Sequence, residues 1–159
     1  MAKYKLEEKS AAPLEVFAIS CHVPDYRLCW SLNRGLGLEL TRRREDIVEQ
    51  VRGKELHYTV FQQADVDKVV RWSLVCNTCG KRRLVPSQKQ ADYFLLVDRE
   101  ADNQQTALTE RLRQCEFVLT AFPLDLDTIK SGDKLLLCLP DERTEDQDRR
   151  HHRPGQQLA

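Results

Sequence analysis

The stretch ADYFLLVD, at residues 91–98, decides the fold of this chain. Successive side chains of a strand point to opposite faces, and here the residues on both faces are apolar. One face carries Tyr93, Leu95 and Val97, and the other carries Phe94 and Leu96. A strand that is apolar on both faces lies inside a sheet covered on both sides. The sequence therefore predicts a layered domain with this strand near its centre.

The segment after this strand predicts a crossover connection. A helical stripe of Leu108, Leu112 and Cys115 is followed by FVLTAF at 117–122, which is rich in strand-forming residues and ends at Pro123. A strand, a helix and a second strand within about 30 residues form a βαβ unit, and such units are right-handed.

The first part of the core predicts another strand and a second principal helix. LEVFAISC at 14–21 is rich in β-formers. Pro24 then opens a helical stretch in which Leu28, Leu32 and Leu36 recur every four residues and form a core-facing stripe.

The middle of the chain predicts an antiparallel meander. LHYTVFQ at 56–62 and VVRWSLVC at 69–76 read as strands with a polar turn between them. The highly charged segment 42–55 is expected to be a loop or a solvated helical turn, and the apolar LLLCL at 135–139 completes the core. The fold class is therefore α+β: a mainly antiparallel sheet of about six strands with two principal helices and one βαβ unit.

Composition divides the 159 residues into three parts. Residues 1–12 are expected to be a flexible arm, residues 13–140 a single α+β domain, and residues 141–159 a disordered polar tail. The 25 basic and 25 acidic side chains give zero net charge, which argues against a chain built as a polyanion binder. The absence of a long apolar run or a signal-peptide core, together with six sparse cysteines, indicates a soluble cytoplasmic protein without membrane association.

The stretch VPSQKQADYFLLV at 85–97 resembles the signature of the IPExxxVDY family, found mainly among the Bacteroidetes. Residues that match the motif outright are Pro86, Asp92 and Tyr93, and conservative replacements are Val85 and Ala91. Ser87 replaces the motif's Glu. Residues 25–40 and 117–131 are also similar to the family. The resemblance implies a bacterial protein, but no particular activity, cofactor or partner.

The motif has a physical interpretation of its own. Pro86 has no N–H and suits a strand end, Asp92 can accept hydrogen bonds from loop N–H groups, and the Tyr93 hydroxyl needs a partner. These residues predict a loop that specifies the fold, and a ligand or partner site is the alternative. Ser87 argues against a catalytic base at the position of the motif's Glu, because serine needs its own activating base.

Cys76 and Cys79 form the only CxxC pair and precede Gly80, as in one half of a zinc ribbon. A structural zinc needs four ligands, and no second CxxC or HxxxH pair exists. A hairpin turn is therefore favoured over a zinc site or a redox dithiol. No cofactor is predicted.

Two basic clusters suggest a nucleic-acid interface. They are Arg42, Arg43, Arg44 and Lys81, Arg82, Arg83. With the aromatic residues Trp72 and Tyr58 nearby in the meander, they would resemble a surface that binds phosphates and stacks bases. The acidic residues that follow Arg44 make a solvated charged loop the favoured interpretation.

Tyr26, Cys29, Trp30 and Asn33 are expected to share a face of the first helix. Tyr26 and Trp30 on this face are candidates for a partner groove, although aromatics at helical spacing more often belong to a core. No glycine-rich phosphate loop, GxSxG or HExxH motif is present, and no catalytic residue is assigned. The predicted function is a non-enzymatic protein-interaction or scaffold domain with an unknown protein partner. A nucleic-acid-binding module is the first alternative, and a zinc-binding or thiol protein is the second.

Overall fold

A computed structural model describes residues 14–64, 70–98 and 105–138. The predicted arm and tail lie outside these residues. The elements, in chain order, are β1 (Leu14–Cys21), α1 (Asp25–Leu36), β2 (Thr41–Arg42), β3 (Ile47–Val51), β4 (Lys54–Tyr58), β5 (Val60–Ala64), β6 (Val70–Cys76), β7 (Thr78–Cys79), β8 (Arg82–Arg83), β9 (Tyr93–Asp98), α2 (Gln105–Gln114), β10 (Val118–Leu124) and two 3-10 helices (Leu126–Thr128 and Gly132–Cys138).

The main sheet has six strands in the order β10-β1-β9-β6-β5-β2, and all its pairs are antiparallel. Strands β9 and β10 both run antiparallel to β1, which lies between them, so they are parallel to each other. Helix α2 connects these two parallel strands. They form the predicted βαβ unit, with β1 lying between them in the sheet. The predicted α+β class is confirmed.

Strand β9 is buried on both faces, as its pattern predicts. Tyr93, Leu95 and Val97 belong to a core that also contains the leucine stripes of α1 and α2. We call this the helix-side core. Phe94 and Leu96 belong to a second core on the other face of the sheet, which we call the loop-side core. Burial of these apolar side chains supplies the main driving force for folding, at about 25 cal/mol per Å².

Among the described residues, no α-helix covers the loop-side core. Its cover consists of the β3–β4 hairpin, residues 84–91 and the two 3-10 helices. In the second 3-10 helix Leu135 and Cys138 are buried, whereas Leu136 and Leu137 are exposed.

The charged segment 42–55 is not a loop or a helical turn, and this expectation is wrong. Residues 47–51 and 54–55 of it form β3 and the start of β4, which pair in register from Ile47↔Tyr58 to Val51↔Lys54. The connecting residues Arg52 and Gly53 both have positive φ, 52° and 79°. This is the backbone of a two-residue type I′ turn, whose twist matches that of the flanking strands.

The β10 edge of the sheet has backbone groups covered or removed. Arg113 Nε donates to the carbonyl of Ala121 at 2.8 Å, and Pro123 has no N–H. Beside the opposite edge strand, Arg43 N donates to the carbonyl of Val60 at 2.7 Å and extends the pairing of β2 with β5. The features at β10 discourage pairing with another sheet. None of the helices in the described segments has the length and apolarity needed to cross a membrane.

The close approach of α1 and α2 depends on Gly35. A Cβ at this position would lie 2.6 Å from Cys115 Sγ. We therefore expect Gly35→Ala to lower the free energy of unfolding by about 1–2 kcal/mol in urea denaturation, because the added methyl overpacks this contact.

The control is the same substitution in a Cys115→Ala background, where the sulfur is gone. There Gly35→Ala should become neutral or stabilising by up to ~1 kcal/mol, the ordinary effect of replacing glycine in a helix. Equal effects in the two backgrounds would contradict the proposed contact.

Candidate functional site

The family-like motif lies in a loop that we call the motif loop, residues 84–92 between β8 and β9. Its main anchor is Asn77, which is fully buried. The Asn77 side-chain amide donates to the carbonyl of Ala91 at 2.8 Å, and its oxygen accepts from Val85 N at 2.8 Å. Its backbone N–H donates to the carbonyl of Asp92, and its carbonyl accepts from Leu84 N, both at 2.9 Å. One side chain and its peptide groups thus hold both ends of the loop.

Asp92 and Tyr93 join the motif loop to the end of β1. The Asp92 carboxylate accepts from Cys21 N at 2.9 Å, and Asp92 N donates to the carbonyl of Ile19. The Tyr93 hydroxyl donates to the carbonyl of Val23 at 2.9 Å, just before α1. Both side chains therefore have the kinds of partner that the sequence interpretation requires.

The other motif positions face outward. Pro86 and Ser87 are exposed, and the Ser87 hydroxyl donates to the carbonyl of Lys130 at 3.2 Å. This hydrogen bond holds the motif loop against the 3-10 region. It gives Ser87 a structural contact.

Cys76 and Cys79 do not converge. Cys76 packs against the helix-side core, whereas Cys79 packs against the loop-side core. Burial raises the pKa of the Cys76 thiol, and this thiol donates to the carbonyl of Thr78 at 3.4 Å. Within residues 14–64, 70–98 and 105–138, no three potential metal ligands among His, Cys, Asp and Glu lie together. The pair flanks the start of the β7–β8 hairpin, whose turn contains Gly80 at φ 60°.

Some residues of the two basic clusters form hydrogen bonds or ion pairs within the fold. Arg42 forms an ion pair with Asp46 at 2.7 Å, and Arg43 Nη1 donates to the carbonyl of Cys138 at 2.6 Å. Arg83 Nη1 donates to the carbonyl of Ala91 at 3.0 Å. Arg44, Lys81 and Arg82 are exposed. Among the described residues, no hydrogen bond, ion pair or ring contact joins one cluster to the other.

The aromatic residues proposed to accompany these clusters are inside the protein. Tyr58 is completely buried in the loop-side core, and Trp72 is buried in the helix-side core. Burial, followed by the charge of Glu49, raises the pKa of Tyr58 to about 12. Neither ring is placed to stack on an external base.

The exposed aromatics lie on α1. Tyr26 is 64% exposed and Trp30 is 48% exposed, whereas Leu28 and Leu32 on the opposite side are fully buried. Positions 26, 30 and 34 repeat every four residues, so their side chains lie on one face of the helix. The Arg34 guanidinium lies 5.4 Å from the centre of the Trp30 ring. Arg27 also belongs to this face and lies 5.0 Å from the centre of the Phe117 ring. We call Tyr26, Arg27, Trp30 and Arg34 the aromatic face.

Helix α1 is held near both ends, so this face is rigidly presented. Near its start, the Asp25 carboxylate accepts from the Thr59 hydroxyl at 2.6 Å. Near its end, the Asn33 amide donates to the carbonyl of Leu40 at 3.1 Å and accepts from Leu40 N at 2.8 Å. Gly37 ends the helix in the left-handed region, at φ 69°.

Sequence reasoning identified Tyr26 and Trp30 but missed Arg27, Arg34 and Asn77. The signal for Arg34 was present, since it follows Trp30 by four residues. The outward direction of this face also follows from the helical positions of the leucine stripe. No local signal distinguishes Asn77, because its partners lie 7 to 15 residues away in the motif loop.

Comparison with protein-family models, with curated proteins and with solved structures finds no match to this chain. The resemblance to the IPExxxVDY family therefore stays a prediction.

We expect Asn77→Ala to lower the free energy of unfolding by about 2–4 kcal/mol, because Val85 N and the carbonyl of Ala91 lose their buried partner. Urea denaturation measures this loss. The matched control in the same loop is Ser87→Ala, which removes one exposed hydrogen bond and should cost about 0.5–1 kcal/mol. Similar losses for the two variants would refute the role of Asn77 as the principal anchor.

Alkaline pH should destabilise the protein. Burial raises the pKa of Cys29 and of Cys138 to about 11, whereas thiols of the unfolded chain ionise near pH ~9. Between these values the unfolded chain loses protons that the folded chain keeps, so the free energy of unfolding falls as the pH rises. Denaturant titrations from pH 8 to 10.5 measure the slope. Cys29→Ala should make it shallower, and an unchanged stability across this range would contradict the prediction.

Proposed function

We propose that this protein is a non-enzymatic protein-interaction domain whose binding surface is the aromatic face. The observation that carries the proposal is the exposure of Tyr26 and Trp30 beside Arg27 and Arg34 on one side of α1. Most large apolar side chains of the domain are buried in its two cores, which makes two adjacent exposed aromatics a notable exception.

The residue types support this role. Tyrosine, tryptophan and arginine are the residues most enriched among those that dominate binding energy at protein interfaces. The contacts of Asp25 with Thr59 and of Asn33 with Leu40 hold α1 in place before a partner arrives. A preorganised surface loses less conformational entropy on binding.

The chemistry of the described thiols favours a role without covalent catalysis. Burial raises the pKa of four cysteines on the helix-side core, and a thiol with a raised pKa is a poor nucleophile at neutral pH. These residues are Cys21, Cys29, Cys76 and Cys115. The Asp92 carboxylate and the Tyr93 hydroxyl form hydrogen bonds with the end of β1 and with Val23, just before α1.

Nucleic-acid binding is the alternative that the aromatic face also supports. Exposed aromatic rings next to arginines can stack on bases and neutralise phosphates. The exposed residues Arg44, Lys81 and Arg82 retain their place in this alternative. A bacterial origin, which the family resemblance implies, and a cytoplasmic location, which the composition indicates, are part of the proposal.

We expect the combined substitutions Tyr26→Ala and Trp30→Ala to abolish capture of a specific protein partner from a lysate of the source organism. Loss of two such anchors should weaken binding by at least about 30-fold, equivalent to about 2 kcal/mol. Affinity capture followed by mass spectrometry, with and without nuclease, measures this effect. Because both side chains are exposed, folding should be retained.

The matched control is Val48→Ala with Leu119→Ala, which removes two exposed apolar side chains outside α1. This variant should capture the same partner as the parent protein. Equal capture by the Tyr26/Trp30 variant would argue against the aromatic face, and capture that disappears with nuclease would favour nucleic acid.

A further inference from the structure

The four exposed side chains of α1 form two adjacent stripes along the helix. One stripe is aromatic, with Tyr26 and Trp30, and the other is basic, with Arg27 and Arg34. At about 100° per residue, the two arginines lie within about 20° of each other around the helix axis. They are two turns apart, which separates their backbone positions by about 10.5 Å along the axis. The aromatic face is therefore an apolar strip with a basic border.

Ring contacts hold the two arginines of this border. The Arg27 guanidinium lies 5.0 Å from the centre of the Phe117 ring, and the Arg34 guanidinium lies 5.4 Å from the centre of the Trp30 ring. Between the arginines along the helix, the Ser31 hydroxyl donates to the carbonyl of residue 116, so the segment 116–117 runs beside the border. These contacts limit where the charged groups lie before a partner binds.

The charge of the border is not neutralised within the fold. In the part of the chain that the structure describes, no carboxylate forms an ion pair with Arg27 or Arg34. The one acidic residue of α1 is Asp25, in its first turn. Its two carboxylate oxygens accept from Tyr26 N at 2.7 Å and from the Thr59 hydroxyl at 2.6 Å. Both arginines are therefore available to an anionic partner.

The elements beside α1 leave the local charge positive. Helix α2 contains Arg111 and Arg113 against one acid, Glu110, and Glu116 follows it. The Arg111 Nη2 group donates to the carbonyl of Leu36 at 3.2 Å, which places a further positive charge at the end of α1. An acidic partner thus meets an electrostatically complementary surface.

Two other occupants fit the face less well. If two copies packed through α1, Arg27 would approach Arg34 of the other copy in an antiparallel pair, and each arginine would face its counterpart in a parallel pair. Like charges brought together in this way disfavour association. The whole chain has zero net charge, so it also lacks the basic excess on which binding to a phosphate backbone rests.

The spacing of the arginines matches a helix in the partner. Residues seven apart on a second helix are also two turns, or about 10.5 Å, apart and lie on the same side of it. On a strand, side chains of one face recur every ~6.6 Å, so two of them lie ~6.6 or ~13 Å apart. A helix packed alongside α1 can therefore place one carboxylate at each arginine and apolar side chains between them.

We propose that the partner of the aromatic face is an acidic amphipathic helix. Two of its carboxylates, seven residues apart, pair with Arg27 and Arg34, and the apolar side chains between them cover Tyr26 and Trp30. Recognition of an amphipathic helix through its apolar residues is a recurring mode of peptide binding. This inference rests on the proposed function, because it names the kind of partner that the same surface takes.

The test uses three synthetic peptides of about 14 residues, each held helical by a side-chain staple. The matched peptide has two glutamates seven residues apart and two leucines midway between them. The shifted peptide has the same composition, but its glutamates lie on the opposite face of the helix from the leucines. The lysine peptide is the matched peptide with lysine in place of both glutamates. A single-stranded oligothymidine of about ten nucleotides is the fourth probe.

Fluorescence anisotropy of the labelled probes measures their affinity for the full-length protein. At about 50 mM salt the matched peptide should bind at least about ten-fold more tightly than the shifted and lysine peptides, because only its charges complement the border. About 0.5 M salt should remove most of this preference, since surface charge pairs are screened. The double substitution Arg27→Gln and Arg34→Gln should also remove it. The matched control, Arg44→Gln with Arg82→Gln, changes two exposed arginines elsewhere and should retain it.

Equal affinity for the matched and shifted peptides would overturn the proposal, as would an absence of binding by the matched peptide. Tighter binding of the oligothymidine than of the matched peptide would overturn it in favour of nucleic acid. Capture from the lysate judges the interaction role separately. If the Tyr26/Trp30 variant loses a captured protein while the matched and shifted peptides bind equally, only the acidic helix fails. If the parent and that variant capture the same proteins, the interaction role itself fails.

Discussion

Burial of β9 on both faces is the constraint from which the rest of the structure follows. Its alternating apolar residues require a covering layer on each side of the sheet. On one side two helices meet this need. On the other, the cover is made of a short hairpin, a loop and 3-10 turns, none of which buries much surface alone. Polar contacts from Asn77, Arg43 and Lys134 hold these pieces together, the last through Leu84 and Glu49.

The two layers differ in how they relate to function. The motif residues Asp92 and Tyr93 use their polar groups in hydrogen bonds within the protein, at the end of β1 and just before α1. On the helix side, α1 uses its leucine stripe for the core and leaves Tyr26 and Trp30 outside. The part of the chain with the most recognisable sequence thus makes contacts within the fold, and the surface that we propose for binding lies on another element.

Much of the fold was predictable because periodicity records burial directly. The two faces of β9 and the stripes on α1 and α2 follow from spacing alone. The β3–β4 hairpin was missed because its dense charges hide the alternation, and its Arg52-Gly53 turn lacks the usual Asn-Gly signature. Asn77 was missed because its role depends on partners that only the folded chain brings near. The exposure of Trp30 was left open, since spacing places an aromatic on a face without stating what covers that face.

The edge of β10 has a consequence for how copies of this domain behave when crowded. Arg113 occupies a carbonyl of the outermost strand, and Pro123 removes a donor from the same strand. A neighbouring strand could therefore not form a continuous ladder of backbone hydrogen bonds with β10. Copies joined in tandem or concentrated on one assembly would therefore not pair through β10. Contacts between molecules at this edge would then be made by side chains, which discriminate among partners, and not by backbone, which does not.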